Sequence, residues 1–258
     1  MGHERLGILP RRKNWNVIVD DIRVALGGDS NDTSILVSNT LHIVRDRYRK
    51  IFLDTGVQAA FGYLIALSTS DLRSESGFAS APIDLDKNPS IFKITSELSK
   101  WVASNTDSNE YGELASRAAA DAIACWYRQN SKQQNLFDEE ISAHEIWSNV
   151  DGRSFCTISR TFFAKFTERY MKYFIERSAS AQTSSVGERD KFQKVLSAHI
   201  DAISQHAFET SVITQSFSAG WFNKNAKVQR PTDKQIIGFL SKAFSKLQEE
   251  LSREDLKK

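Results

Sequence analysis

This sequence predicts an all-α fold, a single multi-helix globular domain, and three observations carry that prediction. Its 258 residues include only four prolines, so long segments run without a helix breaker. Apolar residues recur at helical rather than alternating spacing in one segment after another. Strand–helix units of the kind that build a parallel sheet are missing. Hydrophobic residues make up 40% of the chain, with sixteen Phe and five Trp, which is ample for a core and argues against extensive disorder. Roughly eight to ten helices fit ordinary helix and connector lengths. No repeat of fixed period points to a solenoid.

Residues 1–14 read as an extended N-terminal arm. Trp15, Val19, Ile22 and Leu26 then keep helical spacing up to Gly27-Gly28, a natural stop. A second helix is expected from Asn31/Asp32, with apolar positions from Ile35 to Leu53 and an interruption at Gly56. The dense run Phe61–Leu67 has no clean polar alternation and reads as a buried helix. Residues 74–90, holding Gly77, Pro82 and Pro89, form the clearest loop. Asn88 as N-cap with Pro89 behind it suits the start of a helix through Ile94, Leu98 and Trp101.

Asp107 with Glu110 has the form of a capping box, opening a long helix through Leu114, Ala118, Ile123 and Trp126. After the polar connector 129–140, Ser142 with Glu145 caps a short element around Ile146 and Trp147. From Phe155 onward, Phe162, Phe166, Tyr170 and Phe174 set an aromatic stripe on an amphipathic helix. Residues 178–187 are a Ser-rich linker, with Ser185/Glu188 as another capping pattern ahead of Phe192, Leu196 and Ile200. Thr232 with Gln235 caps a last helix through Leu251. Were the domain to divide into two lobes, the boundaries would fall at 74–90 and 178–187.

Several chemistries are excluded by pattern. There is neither a G-x-x-x-x-G-K-[ST] cradle nor a G-x-G-x-x-G turn, so a P-loop or dinucleotide enzyme is not expected. Cys125 and Cys156, the two cysteines, show no metal or redox spacing and read as reduced thiols in a cytoplasmic protein. No signal peptide and no membrane-spanning run is present. His199, His206 and Glu209 fall close to one helix face, but spread over about three turns they cannot meet one ion without help from another helix. They remain the weak metal candidates, or the place for an enzyme site dispersed in sequence; no cofactor is expected.

Charge is sorted along the chain. Residues 1–50 carry nine Lys/Arg against six Asp/Glu, residues 51–150 seven against fourteen, and residues 151–258 eighteen against twelve. An acidic middle thus lies between basic flanks, although the whole sums to only +2. Such sorting bears on partners rather than on fold.

Three segments are candidate binding surfaces. Segment 11–15 places Arg11, Arg12 and Lys13 beside Trp15, cations with an aromatic anchor. In segment 165–172, Lys165, Arg169 and Lys172 share a helix face, a ridge for phosphates or for the acidic middle of the same chain or a second copy. In segment 217–230, Phe217, Trp221 and Phe222 interleave with Lys224, Lys227 and Arg230. Aromatics can stack bases while cations track a backbone, yet the same residues suit a protein hot spot or a core edge. Missing catalytic motifs and abundant aromatics favour a non-enzymatic helical interaction or scaffold subunit, binding other subunits or itself. Its expected setting is a bacterial multi-protein assembly, with anti-phage defence as an example. The alternative is an accessory factor that binds nucleic acid through the three basic segments.

Overall fold

A helix buried on nearly every side organises this protein. The computed structural model describes residues 12–27, 35–36, 39–40, 43, 50–69, 85, 89–106, 111–132, 142–179, 186–187, 190–198, 200 and 212–255. Among these, eight α-helices have defined bounds: α1 Arg12–Gly27, α2 Thr55–Ser68, α3 Ile91–Ser104, α4 Gly112–Lys132, α5 Ala143–Ser148, α6 Gly152–Ala179, α7 Val212–Asn225 and α8 Asp233–Asp255. A 3₁₀ turn, Ile51–Leu53, precedes α2. The architecture is all-α, as the spacing predicts.

Helix α2 is the dense apolar run, and eleven of its fourteen residues are buried. It touches α3, α4, α5, α6, α8 and the 3₁₀ turn, which is why its sequence lacks a polar face: no side meets much water. Phe61 sits at its centre. Its ring lies 5.2 Å from that of Phe162, 5.5 Å from Phe163 and 6.2 Å from Phe155, and stacks on Phe239 at 5.2 Å. One side chain therefore ties α2 to α6 and α8. The Tyr63 hydroxyl donates to the carbonyl of Ile94 at 2.8 Å, joining α2 to α3. Burial, with Glu97 nearby, pushes the Tyr63 phenol well above its usual value.

Among the described elements the packing between α4 and α6 is the most extensive, and α7 and α1 also pack on α6. The predicted stripe stacks along α6, with Phe162–Phe166, Phe166–Tyr170 and Tyr170–Phe174 centroids 6.1, 6.1 and 5.0 Å apart. The helix is less amphipathic than the stripe suggests, however. Phe163, Thr167, Met171 and Ile175 are buried on a further face, because neighbours cover α6 from several directions.

The caps explain where the helices start. Asp54 Oδ1 accepts from Val57 N–H at 3.0 Å and begins α2, so Gly56 lies inside the first turn rather than interrupting anything. Its role is close approach: a Cβ there would lie 2.5 Å from Gly112 Cα, where α2 and α4 cross backbone to backbone. Helix α3 is capped by Ser90 and not by the expected Asn88. The Ser90 hydroxyl accepts from Lys93 N–H at 3.2 Å, and Pro89 stands outside the helix. Ser142 and Glu145 form the predicted capping box. Thr232 and Gln235 do likewise, at 2.8 Å and 3.4 Å. Asp151, not anticipated, caps α6 by accepting from Ser154 N–H at 2.8 Å, and that bond holds its carboxyl below the usual range.

Two further expectations shift. Helix α1 begins at Arg12, so Arg12, Lys13 and Asn14 are helical rather than part of an arm; Arg and Lys are good helix formers once Pro10 is passed. Helix α6 runs to Ala179, into the expected linker. The capping patterns at Asp107/Glu110 and Ser185/Glu188 lie outside the described residues. Buried residues from Ile18 to Leu247 belong to one contiguous cluster. Elements on either side of 74–90 and of 178–187 contribute to that same core, as Phe61 with Leu98 and Tyr170 with Leu196 do.

Candidate functional site

The basic ridge on α6 is largely neutralised from within. Lys165 Nζ lies 2.8 Å from Glu168 Oε2, and Lys172 bonds the other oxygen of the same carboxylate. Burial alone would raise the Glu168 carboxyl, but the two lysines outweigh it and hold it below the usual range. Arg169 reaches across to Asp121 on α4 at 2.5 Å. All three cations thus have acidic partners, and the Arg169 partner belongs to the acidic middle of the chain. Glu168 stands three residues after Lys165 and four before Lys172, spacing that permits such pairs. Asp121 lies 48 residues from Arg169, a proximity that only the packing of α4 on α6 creates.

Segment 217–230 is a helix followed by a turn. Its aromatic rings belong to the core: Phe222 is fully buried and stacks on Phe155 at 4.5 Å. Trp221 lies 4.7 Å from Phe239, and Phe217 stacks on Phe239 at 5.1 Å with Lys242 Nζ 4.6 Å from its ring. Helix α7 closes with Ala226 and Lys227 N–H groups both donating to the Phe222 carbonyl. Lys224 in the last turn of α7, and Lys227 and Arg230 beyond it, are exposed. The structure therefore separates cations from aromatics that the sequence interleaves. Phe222 offers no ring face to a base.

Arg11 lies outside the described residues. Arg12, Lys13 and Trp15 fall in the first turns of α1. His199, His206 and Glu209 also lie outside the described residues; next to them, Phe192, Leu196 and Ile200 are buried. Among the described residues no three His, Cys, Asp or Glu side chains come together as a metal site, and no helix is long and apolar enough to cross a membrane. Cys156 is buried and Cys125 half-buried. Burial pushes the Cys156 thiol upward against the pull of Arg160.

Two features escaped the sequence reading. Phe92, on the first turn of α3, is 80% exposed, whereas the other described phenylalanines are buried or half-buried. A cleft of about 220 Å³ lies where the start of α2, the end of α3 and the start of α8 meet. Helical periodicity shows which face of an element is apolar, but not which apolar residue remains uncovered or where three helix ends converge.

No protein-family model matches this chain, and no curated protein or solved structure matches it either.

Proposed function

We propose that this chain is a non-enzymatic, cytoplasmic helical subunit that docks on other protein subunits of a larger assembly, or on a second copy of itself. The observation that carries this reading is Phe92. Burying a phenylalanine side chain is worth about 1.5–3 kcal/mol, and at Phe92 that stabilisation is left almost entirely unused by the fold. Helix α1 adds a second open surface. Ile18, Ile22 and Ala25 face the core, while Val17 and Val24, seven residues apart and so nearly on one line, are 49% and 59% exposed. Aromatic residues at an interface centre are typical anchors.

Size-exclusion with light scattering, together with affinity purification from the native cell, tests the proposal. The expected result is a self-associated species or a stoichiometric protein partner, lost in Phe92→Asp while the circular dichroism spectrum is unchanged. A monomer that retains no protein at stoichiometric yield would overturn it. The nucleic-acid alternative draws its support from the exposed Lys224, Lys227 and Arg230. It predicts salt-dependent binding that disappears when those three become Glu. The pairing of Lys165, Arg169 and Lys172 with acids, and the burial of Phe222, give the protein-docking reading the advantage.

A further inference from the structure

We infer that the cleft between α2, α3 and α8 is a binding site for a small zwitterion with an apolar body, a free α-amino acid with an apolar side chain. Arg230 and Asp233 stand on its rim three residues apart, yet neither makes an ion pair with the other or with any described residue. A cation and an anion left open on one rim match the two ends of a zwitterion: guanidinium for the carboxylate, carboxylate for the ammonium.

The neighbouring amides complete the ammonium half. Gln58 donates its Nε2 to the Phe52 carbonyl at 2.8 Å, and Asn105 donates its Nδ2 to the Trp101 carbonyl at 2.9 Å. Each amide nitrogen is engaged, Asn105 Nδ2 also reaching Ser104 Oγ at 3.1 Å, and each carbonyl oxygen is left as acceptor. With Asp233 they supply three acceptor groups, the number an ammonium needs. The Thr55 hydroxyl, also on the rim, is a donor for the carboxylate beside Arg230.

The floor is apolar and kept open by a glycine. Trp101, Ile236 and Gly62 line it. Gly62 lies in the interior of α2, where glycine is destabilising relative to alanine. Packing does not require it, since an added Cβ would meet only Ile236 Cδ1 at 3.8 Å. The missing methyl instead leaves space in the cleft. At about 220 Å³ the cleft falls short of the roughly 300–1,000 Å³ typical of pockets for drug-sized ligands, so it suits one amino acid and not a nucleotide.

Titration calorimetry of the full chain with free leucine, isoleucine, valine, methionine and phenylalanine tests this site, with the N-acetyl and C-amide derivatives of the best ligand as probes. At least one free amino acid should bind saturably. Amidation, acetylation, Arg230→Gln and Asp233→Asn should each weaken binding at least about tenfold, the scale of one charge-assisted hydrogen bond. Gly62→Ala should weaken binding while raising the melting temperature, a combination that a purely structural role for the glycine would not produce. Absence of saturable binding by any of the five overturns the proposal. So does an N-acetyl derivative that binds as well as the free ligand, which would mark the cleft as a site for a peptide chain end, or binding indifferent to Arg230→Gln.

Discussion

Gly56→Ala and Gly62→Ala place the same methyl group in the same helix and are expected to move stability in opposite directions. An alanine in a helix interior gains up to about 1 kcal/mol over glycine. At Gly62 the nearest atom to the new Cβ is Ile236 Cδ1 at 3.8 Å, an ordinary contact, so Gly62→Ala should stabilise by about 0.5–1 kcal/mol. At Gly56 the Cβ would lie 2.5 Å from Gly112 Cα and 3.0 Å from Thr106 Cγ2. A Cα cannot rotate away as a side chain can. The crossing of α2 and α4 must open by about 1 Å to restore a normal carbon–carbon separation. Overpacking of this kind costs about 1–3 kcal/mol; after the propensity gain, Gly56→Ala should be destabilised by up to about 2.5 kcal/mol.

Urea unfolding followed by circular dichroism, with linear extrapolation and an unchanged m-value, resolves shifts of this size. In thermal melts each kcal/mol corresponds to roughly 2–4 °C for a chain of about this length. The two variants should therefore fall on opposite sides of the parent. If both shift the same way, or if Gly56→Ala melts with the parent, then α2 and α4 do not cross through these two glycines and the placement of the central helix is wrong.

Other outcomes follow from the core, the caps, the charges and the thiols. Phe61→Ala, which deletes a buried ring touching four others, should cost about 3–5 kcal/mol in the same assay. Ser142→Ala breaks the capping box of α5 and should cost about 1 kcal/mol, with faster hydrogen exchange at the Glu145 amide. The Glu168 carboxyl is held below its ordinary value of 4.5. Its contribution is therefore present above that pH and disappears as the pH falls through the lowered folded value; Glu168→Gln should be less stable at pH 7 and show a flatter acid limb. With a thiol reagent under native conditions Cys125 should react before Cys156, whose labelling should track global unfolding.

Local chemistry was the most readable part of this chain. Ser142/Glu145 and Thr232/Gln235 cap as their spacing says, since a capping box closes within four residues. The α3 cap fell two residues later than expected because Asn, Ser and Asp are near-equal N-caps, and only geometry chooses among Asn88 and Ser90. Phe61–Leu67 gave away its burial through the missing polar face, but not its neighbours. Segment 217–230 shows why the candidate surfaces were harder. Phe217, Trp221 and Phe222 alternate with cations in sequence, and the same letters describe a stacking platform or a core edge. What decides is Phe155 on α6 and Phe239 on α8, both outside the segment, which receive those rings. The cleft was invisible for the same reason: its lining comes from three helix ends.

The sorted charge now divides into a part that the fold uses and a part that it leaves open. Arg169 joins the basic C-terminal third to Asp121 in the acidic middle, at the most extensive helix–helix packing among the described elements. Both side chains are about one-third exposed, so the pair is worth at most about 1 kcal/mol; its effect is to favour one register of α6 on α4 over others. Lys165 and Lys172 are spent on Glu168 in the same way. Arg230 differs from all three in having no carboxylate within ion-pair distance among the described residues. A paired cation must give up its partner before it can take an anion from outside, and that exchange gains little. An open cation has no such exchange to make, which places recognition of an external carboxylate at the α7–α8 turn rather than on the ridge that the sequence made conspicuous.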